Sequence, residues 1–196
     1  MKHEHYPDVH HDVYSRTVFG FWVYLMTDFM VFACLFATYK VLYYSTFSGP
    51  TSADLYDLPY SSIQTLFMLA AAFSSGLGGV AAHRMKKHAT IILFLLTFLF
   101  GMIFLWLQFG EFFRFLSLGH SWKNSAFLSA YYTLLGTFAV HMVFALLWIP
   151  VLLIPVWGEG VTFNSVKRLT CLRLFWQFLN VVWIFIYSFV YLMGVR

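Results

Sequence analysis

Charge is scarce in this sequence: Asp, Glu, Lys and Arg make up 10% of its 196 residues, while 61% are hydrophobic. An ordinary soluble domain has about 25% charged residues. So little polar surface excludes a freely soluble fold and leaves a membrane protein. Cysteine is nearly absent, with only Cys34 and Cys171, which rules out a disulfide framework and a paired-cysteine metal motif. No stretch rich in proline, glycine and serine divides the chain, and no internal repeat is present, so it reads as one domain. The apolar residues do not alternate with polar ones, as the strands of a transmembrane barrel must. No basic run interleaved with stacking aromatics lies outside the apolar segments, which argues against nucleic acid as a partner.

What is present is apolar and long. Five runs, near 17–42, 61–82, 89–115, 127–155 and 172–194, reach the roughly 20 residues that a spanning helix requires. The expected fold is all-α, a polytopic membrane protein with five transmembrane helices. Residues 1–16, "MKHEHYPDVHHDVYSR", read as a polar, His-rich cytoplasmic tail, and 17–196 as the transmembrane domain. The run behind the tail is too long for a signal peptide and lacks a small-residue cleavage site, so it is expected to be retained. His3, His5, His10 and His11 in the tail offer imidazoles to stray divalent metal, but without a supporting helix or strand they are expected to be unliganded.

Basic residues set the expected orientation. Lys2, Arg16, Arg84, Lys86, Lys87, Lys167, Arg168 and Arg173 flank one set of run ends, and Lys40, Arg114, Lys123 and Arg196 the other, an asymmetry of eight to four. The positive-inside rule then places the N-terminus in the cytoplasm and the C-terminus in the periplasm. The first outer loop, "STFSGPTSADLYDLPY", fits, with Asp54, Asp57 and no basic residue. The net charge of +4 reads as topology and contact with anionic headgroups.

Polar residues at membrane depth are costly unless paired or turned inward, so they are the candidate functional residues. Asp28 in "YLMTDFMVF" lies about 16 Å inside the first run, near the midplane. His141 lies at the middle of the fourth run and Gln64 near the start of the second. Glu111 and Arg114 in "GEFFRF" are spaced i, i+3 and are expected to form an interfacial salt bridge on one helix face. Gln177 and Asn180 in "LFWQFLNVVW" share a face in the same way. A bis-His haem would need two axial imidazoles at depth, and only His141 is placed there. No clustered Cys and His suit zinc or a dicopper site. No catalytic, cofactor or metal residue is therefore assigned.

Small residues mark close helix approaches: Ser75, Gly79 and Ala82 in the second run and Gly101 in the third. Pro150 and Pro155 are expected to kink or end the fourth helix. Trp122, Trp148, Trp157, Tyr43, Tyr44, Tyr131 and Tyr132 fall where an interfacial aromatic belt would lie.

The stretches "VFGFWVYLMTDFMVFACLFATYKVL", "GPTSADLYDLPY", "NSAFLSAYYTLLGTFAVHMVFALLW" and "LFWQFLNVVWIFIYSFVYLMG" together resemble subunit III of the haem-copper oxygen reductases, in the five-helix form found in bacterial cytochrome bo-type ubiquinol oxidases. The resemblance runs from about residue 17 to the C-terminus and is specific in the first, fourth and fifth helices. It implies an accessory subunit of a proton-pumping quinol oxidase of the aerobic respiratory chain, in the bacterial inner membrane. Haem and copper would then belong to subunit I. This chain would carry no cofactor, pack against subunit I beside subunits II and IV, and hold phospholipid.

Departures from the family pattern are informative. The family usually has His at Gln177, Asp at Asn180, a histidine at Phe138 and, in quinol-type members, a glutamate at Gln64. Neutral groups at all four positions argue for interhelical hydrogen bonding and a lipid-cleft lining over a proton path. Asp28 and His141 match family positions and are expected to pair between the first and fourth helices. The alternatives are a small transporter or channel, which would need a polar track and usually repeats, or subunit III of a cytochrome c oxidase.

Overall fold

The computed structural model describes residues 9–45, 57–120 and 122–194, with side chains from Arg16 onward. The tail histidines, Asp54 and Arg196 lie outside the side chains described, so the expectations placed on them are not addressed. Five long α-helices follow in order: α1 (Val9–Leu42), α2 (Leu58–His83), α3 (Lys87–Ser117), α4 (Ala126–Glu159) and α5 (Phe163–Ile186). A π-helical turn, Tyr187–Leu192, extends α5. All five are long and apolar enough to cross a membrane.

Helix ends follow local chemistry more closely than hydropathy. Pro59 enters α2 in its first turn, where a missing N–H costs nothing. Ser125 caps α4 by accepting a hydrogen bond from the Leu128 amide at 3.1 Å, and Thr162 caps α5 by accepting from the Ser165 amide at 3.3 Å. The Thr162 cap starts α5 at Phe163, well ahead of the apolar run expected from 172, so Lys167 and Arg168 sit on the helix itself, as Arg173 does. Neither proline ends α4. The helix continues through Pro150 and Pro155 to Glu159 and stops at Gly160, whose φ of +84° suits glycine. Within a packed membrane bundle, neighbouring helices support a backbone that a proline weakens.

α2 and α3 form an antiparallel hairpin through the turn Arg84–Lys86, where Met85 adopts φ +56°. α3 packs on α4; α5 packs on α1, α2 and α4; α1 packs on α4 and α5. The helices are therefore unequal. In its most apolar stretch α5 is 56% buried, the highest share of the five, whereas α1 is 11% buried, the lowest. The helix with the most partners is thus the most buried one.

Lipid is as apolar as leucine, so helix association here depends on fit and hydrogen bonding more than on the hydrophobic effect. The small residues supply that fit. A Cβ on Gly101 would come within 2.7 Å of the Trp176 ring of α5 and 2.8 Å of Leu146 of α4. A Cβ on Gly79 would meet the Arg173 side chain at 2.6 Å. At the centre, Trp183 packs edge-on against Phe104, with ring centroids 4.7 Å apart, and against Phe138 at 5.4 Å. Phe138 is thus a core residue of the aromatic cluster. Large apolar side chains such as Phe19, Trp106 and Ile154 face outward, as lipid or a protein partner would require.

Candidate functional site in the polar seams between helices

Among the described residues, the candidate polar side chains fall into three groups inside the bundle, beside a buried hydroxyl pair, Ser74 and Thr97, that joins α2 to α3 at 2.8 Å. The first joins α1 to α4. His141 Nε2 lies 3.7 Å from Asp28 Oδ2, and its other ring nitrogen, Nδ1, is 2.8 Å from the carbonyl of Thr137. A carbonyl only accepts, so Nδ1 carries a proton. Nε2 is then the nitrogen turned toward the carboxyl of α1. Tyr24, one turn before Asp28, interacts with the same carboxylate. The two side chains expected to pair thus stand close, at 3.7 Å, but beyond hydrogen-bond distance, and the buried Asp28 Oδ2 has no hydrogen-bond partner among the described residues.

The second group belongs to α5. Gln177 Nε2 donates to the Ala72 carbonyl of α2 at 3.1 Å, a second bond for an oxygen with two lone pairs. Gln177 therefore acts as interhelical glue between α5 and α2. Asn180 is not: its buried Oδ1 has no hydrogen-bond partner among the described residues. Farther along, Trp183 Nε1 donates to Thr65 Oγ1 at 3.1 Å, and the Tyr187 and Ser62 hydroxyls lie 3.0 Å apart. In an α-helix, steps of four residues drift by about 40° each around the axis. The wider π turn at Tyr187–Leu192 opposes that drift and brings Tyr191 inward below Trp183 and Tyr187.

The third group is centred on Glu111 and differs from expectation. Glu111 is 3% exposed, and its carboxylate accepts from Gln64 Nε2 at 3.2 Å, Tyr191 Oη at 3.0 Å and Tyr131 Oη at 3.3 Å. It is an interior residue held by neutral donors from α2, α4 and the π turn. Arg114 Nη1 instead lies 3.7 Å from Asp57 Oδ2 at the start of α2. Both of those side chains are about half exposed, so this pair contributes little energy while tying the start of α2 to the end of α3. The reason is rotational. Glu111 sits on the α3 face covered by α2 and α4, whereas Arg114 lies far enough around the axis to reach solvent.

Sequence reasoning missed several members. Tyr131, expected in the aromatic belt, is fully buried and belongs to the Glu111 cluster. Tyr191 and Gln108 are also fully buried there. The spacing of Gln108 to Glu111, three residues on one helix, is the signal that would have found Gln108. No group of three or more His, Cys, Asp or Glu gathers as for a metal ion among the described residues.

No family model matches the chain. Individual relatives do. It is 42% identical to the cytochrome bo(3) ubiquinol oxidase subunit 3 of Pseudomonas aeruginosa over 192 residues, covering 98% of this chain and 91% of the relative. It is 37% identical over 178 residues to a cytochrome c oxidase subunit 3 of a Bacillus species, covering 89% of this chain and 84% of that one. It is 34% identical over 180 residues to the quinol oxidase subunit 3 of Bacillus spizizenii, covering 90% and 87%. Full-length identity at this level, joined to five apolar helices, assigns the chain to the subunit 3 family of the haem-copper terminal oxidases.

Proposed function

We propose that this chain is the accessory subunit III of a respiratory ubiquinol oxidase, that it carries no redox group, and that it stabilises subunit I and holds phospholipid in the inner membrane. A groove of about 570 Å³ between α1 and the α4–α5 pair carries the lipid part of this reading. Its walls are apolar, including Phe21 and Trp148, and Lys167 and Arg168 stand at its cytoplasmic end. Two cations over an apolar slot fit an anionic headgroup with acyl chains beneath it. The assignment of that end to the cytoplasm rests on the eight-to-four basic asymmetry.

The accessory part draws on how the interior polar groups are used. Asp28, Gln64, Glu111 and Gln177 are directed at neighbouring helices, which suits a scaffold. The large apolar exterior suits contact with subunit I and, beside it, subunits II and IV. Affinity purification of the tagged chain from detergent-solubilised membranes tests the reading. Co-purification of a haem-bearing large subunit with quinol-oxidising activity and bound phospholipid is the expected result; recovery of the chain alone overturns it.

The 37% identity to a cytochrome c oxidase subunit 3 favours one second reading, with cytochrome c as electron donor of the complex. The same preparation separates the two, according to whether it oxidises quinol or reduced cytochrome c.

A further inference from the structure

Two fully buried amides flank Glu111, and three of their atoms have no hydrogen-bond partner among the described residues: Gln64 Oε1, Gln108 Oε1 and Gln108 Nε2. A buried polar atom left without a partner loses its hydration with nothing in return, so three in one neighbourhood is an unstable arrangement unless something else bonds them. They are one neighbourhood. Gln64 Nε2 is on the Glu111 carboxylate, Gln108 precedes Glu111 by one turn of α3, and the Tyr191 hydroxyl, which donates to Glu111 at 3.0 Å, stands beside Gln108 without the geometry of a hydrogen bond to it.

Counting acceptor sites locates the opening. A carboxylate has about four lone-pair positions. Tyr191 and Gln64 take two at Oε2 and Tyr131 takes one at Oε1, which leaves an acceptor at Oε1. The unmet groups are therefore three acceptors and one donor. A water molecule donates twice and accepts, and buried waters typically make about three hydrogen bonds. A bare cation fits worse, because three donors already converge on the carboxylate and the Gln108 amide would confront it with another.

We propose that an ordered water molecule is bound between Gln108, Gln64 and Glu111, accepting from Gln108 Nε2 and donating to Glu111 Oε1 and to an amide oxygen. It completes the carboxylate's shell and links α2 to α3 beneath the π turn. This site is separate from the lipid groove and from the Asp28–His141 pair, and it does not depend on the accessory-subunit reading.

The test is electron cryo-microscopy of the purified complex containing this chain, at a resolution that shows ordered water, for the wild type and for Gln108→Leu. The expected result is a solvent peak within hydrogen-bond distance of Gln108, Gln64 and Glu111 in the wild type, lost in Gln108→Leu, where the leucine fills the same space. A wild-type map with all three side chains resolved and no peak overturns the proposal. So does a direct bond from the Gln108 amide to Gln64 or Tyr191, or a peak that persists in Gln108→Leu. If that variant does not assemble, the wild-type map alone decides.

Discussion

His141 faces Asp28 across the α1–α4 seam at 3.7 Å, with its far nitrogen anchored on the Thr137 carbonyl at 2.8 Å. The anchor makes His141 a fixed partner for the carboxyl of α1. Such a pair can hold two helices together without moving protons between compartments.

Asp28→Asn tests that distinction. The amide keeps the shape and a hydrogen-bonding oxygen, so the expected loss is about 0.5–1 kcal/mol of helix association. Quinol oxidation normalised to assembled enzyme should stay close to wild type across pH, with a modest fall in assembly. A strong pH-dependent deficit in fully assembled complex would show that Asp28 carries protons.

Truncating Glu111 should be worse than truncating Asp28. Glu111→Ala removes the common acceptor of Gln64, Tyr131 and Tyr191; the two tyrosine hydroxyls, 3.3 Å apart, can still bond to each other, and each bond left unmade costs about 1–3 kcal/mol. The expected outcome is a severe loss of complex yield and a lowered thermal midpoint in detergent. Glu111→Gln, which retains an acceptor oxygen, should recover much of both; equal yields for the two variants would contradict the cluster's role.

Gly101→Ala places a methyl 2.7 Å from the Trp176 ring. Because that ring is fully buried, it cannot swing aside, and overpacking of this kind costs about 1–3 kcal/mol. Thermal unfolding of the purified complex should shift downward, and adding Trp176→Phe should restore part of the shift. No shift in the single variant would mean that α3 and α5 can separate freely.

Topology has its own measurement. A reporter active only in the periplasm should be active when fused after Arg196 and silent when inserted in the Arg84–Lys87 turn. The reverse pattern would refute the orientation drawn from the basic residues.

Hydropathy is enough to read the five spans, because a bilayer demands about 20 apolar residues whatever the packing. It cannot read where Thr162 starts α5, since a cap is a local hydrogen bond and the turns it begins are polar. The Asp28–His141 pair is legible because few polar groups share that depth. The fate of Glu111 is not: an i, i+3 cation next door suggested a salt bridge, and the actual partners come from residues 64, 131 and 191, which only the assembled bundle brings near. Tyr131 shows the same limit, because an aromatic near a helix end looks alike whether it faces headgroups or a buried carboxylate.

The peripheral seat of α1 has a consequence for biogenesis. Its packing partners, α4 and α5, are the last helices to leave the ribosome. During synthesis α1 must therefore reside in the bilayer with Asp28 facing no histidine, at a cost of about 2.5–3.5 kcal/mol that its apolar residues have to outweigh. The α2–α3 hairpin closes early on itself, while α1 waits in the membrane until His141 emerges and the late helices collect it.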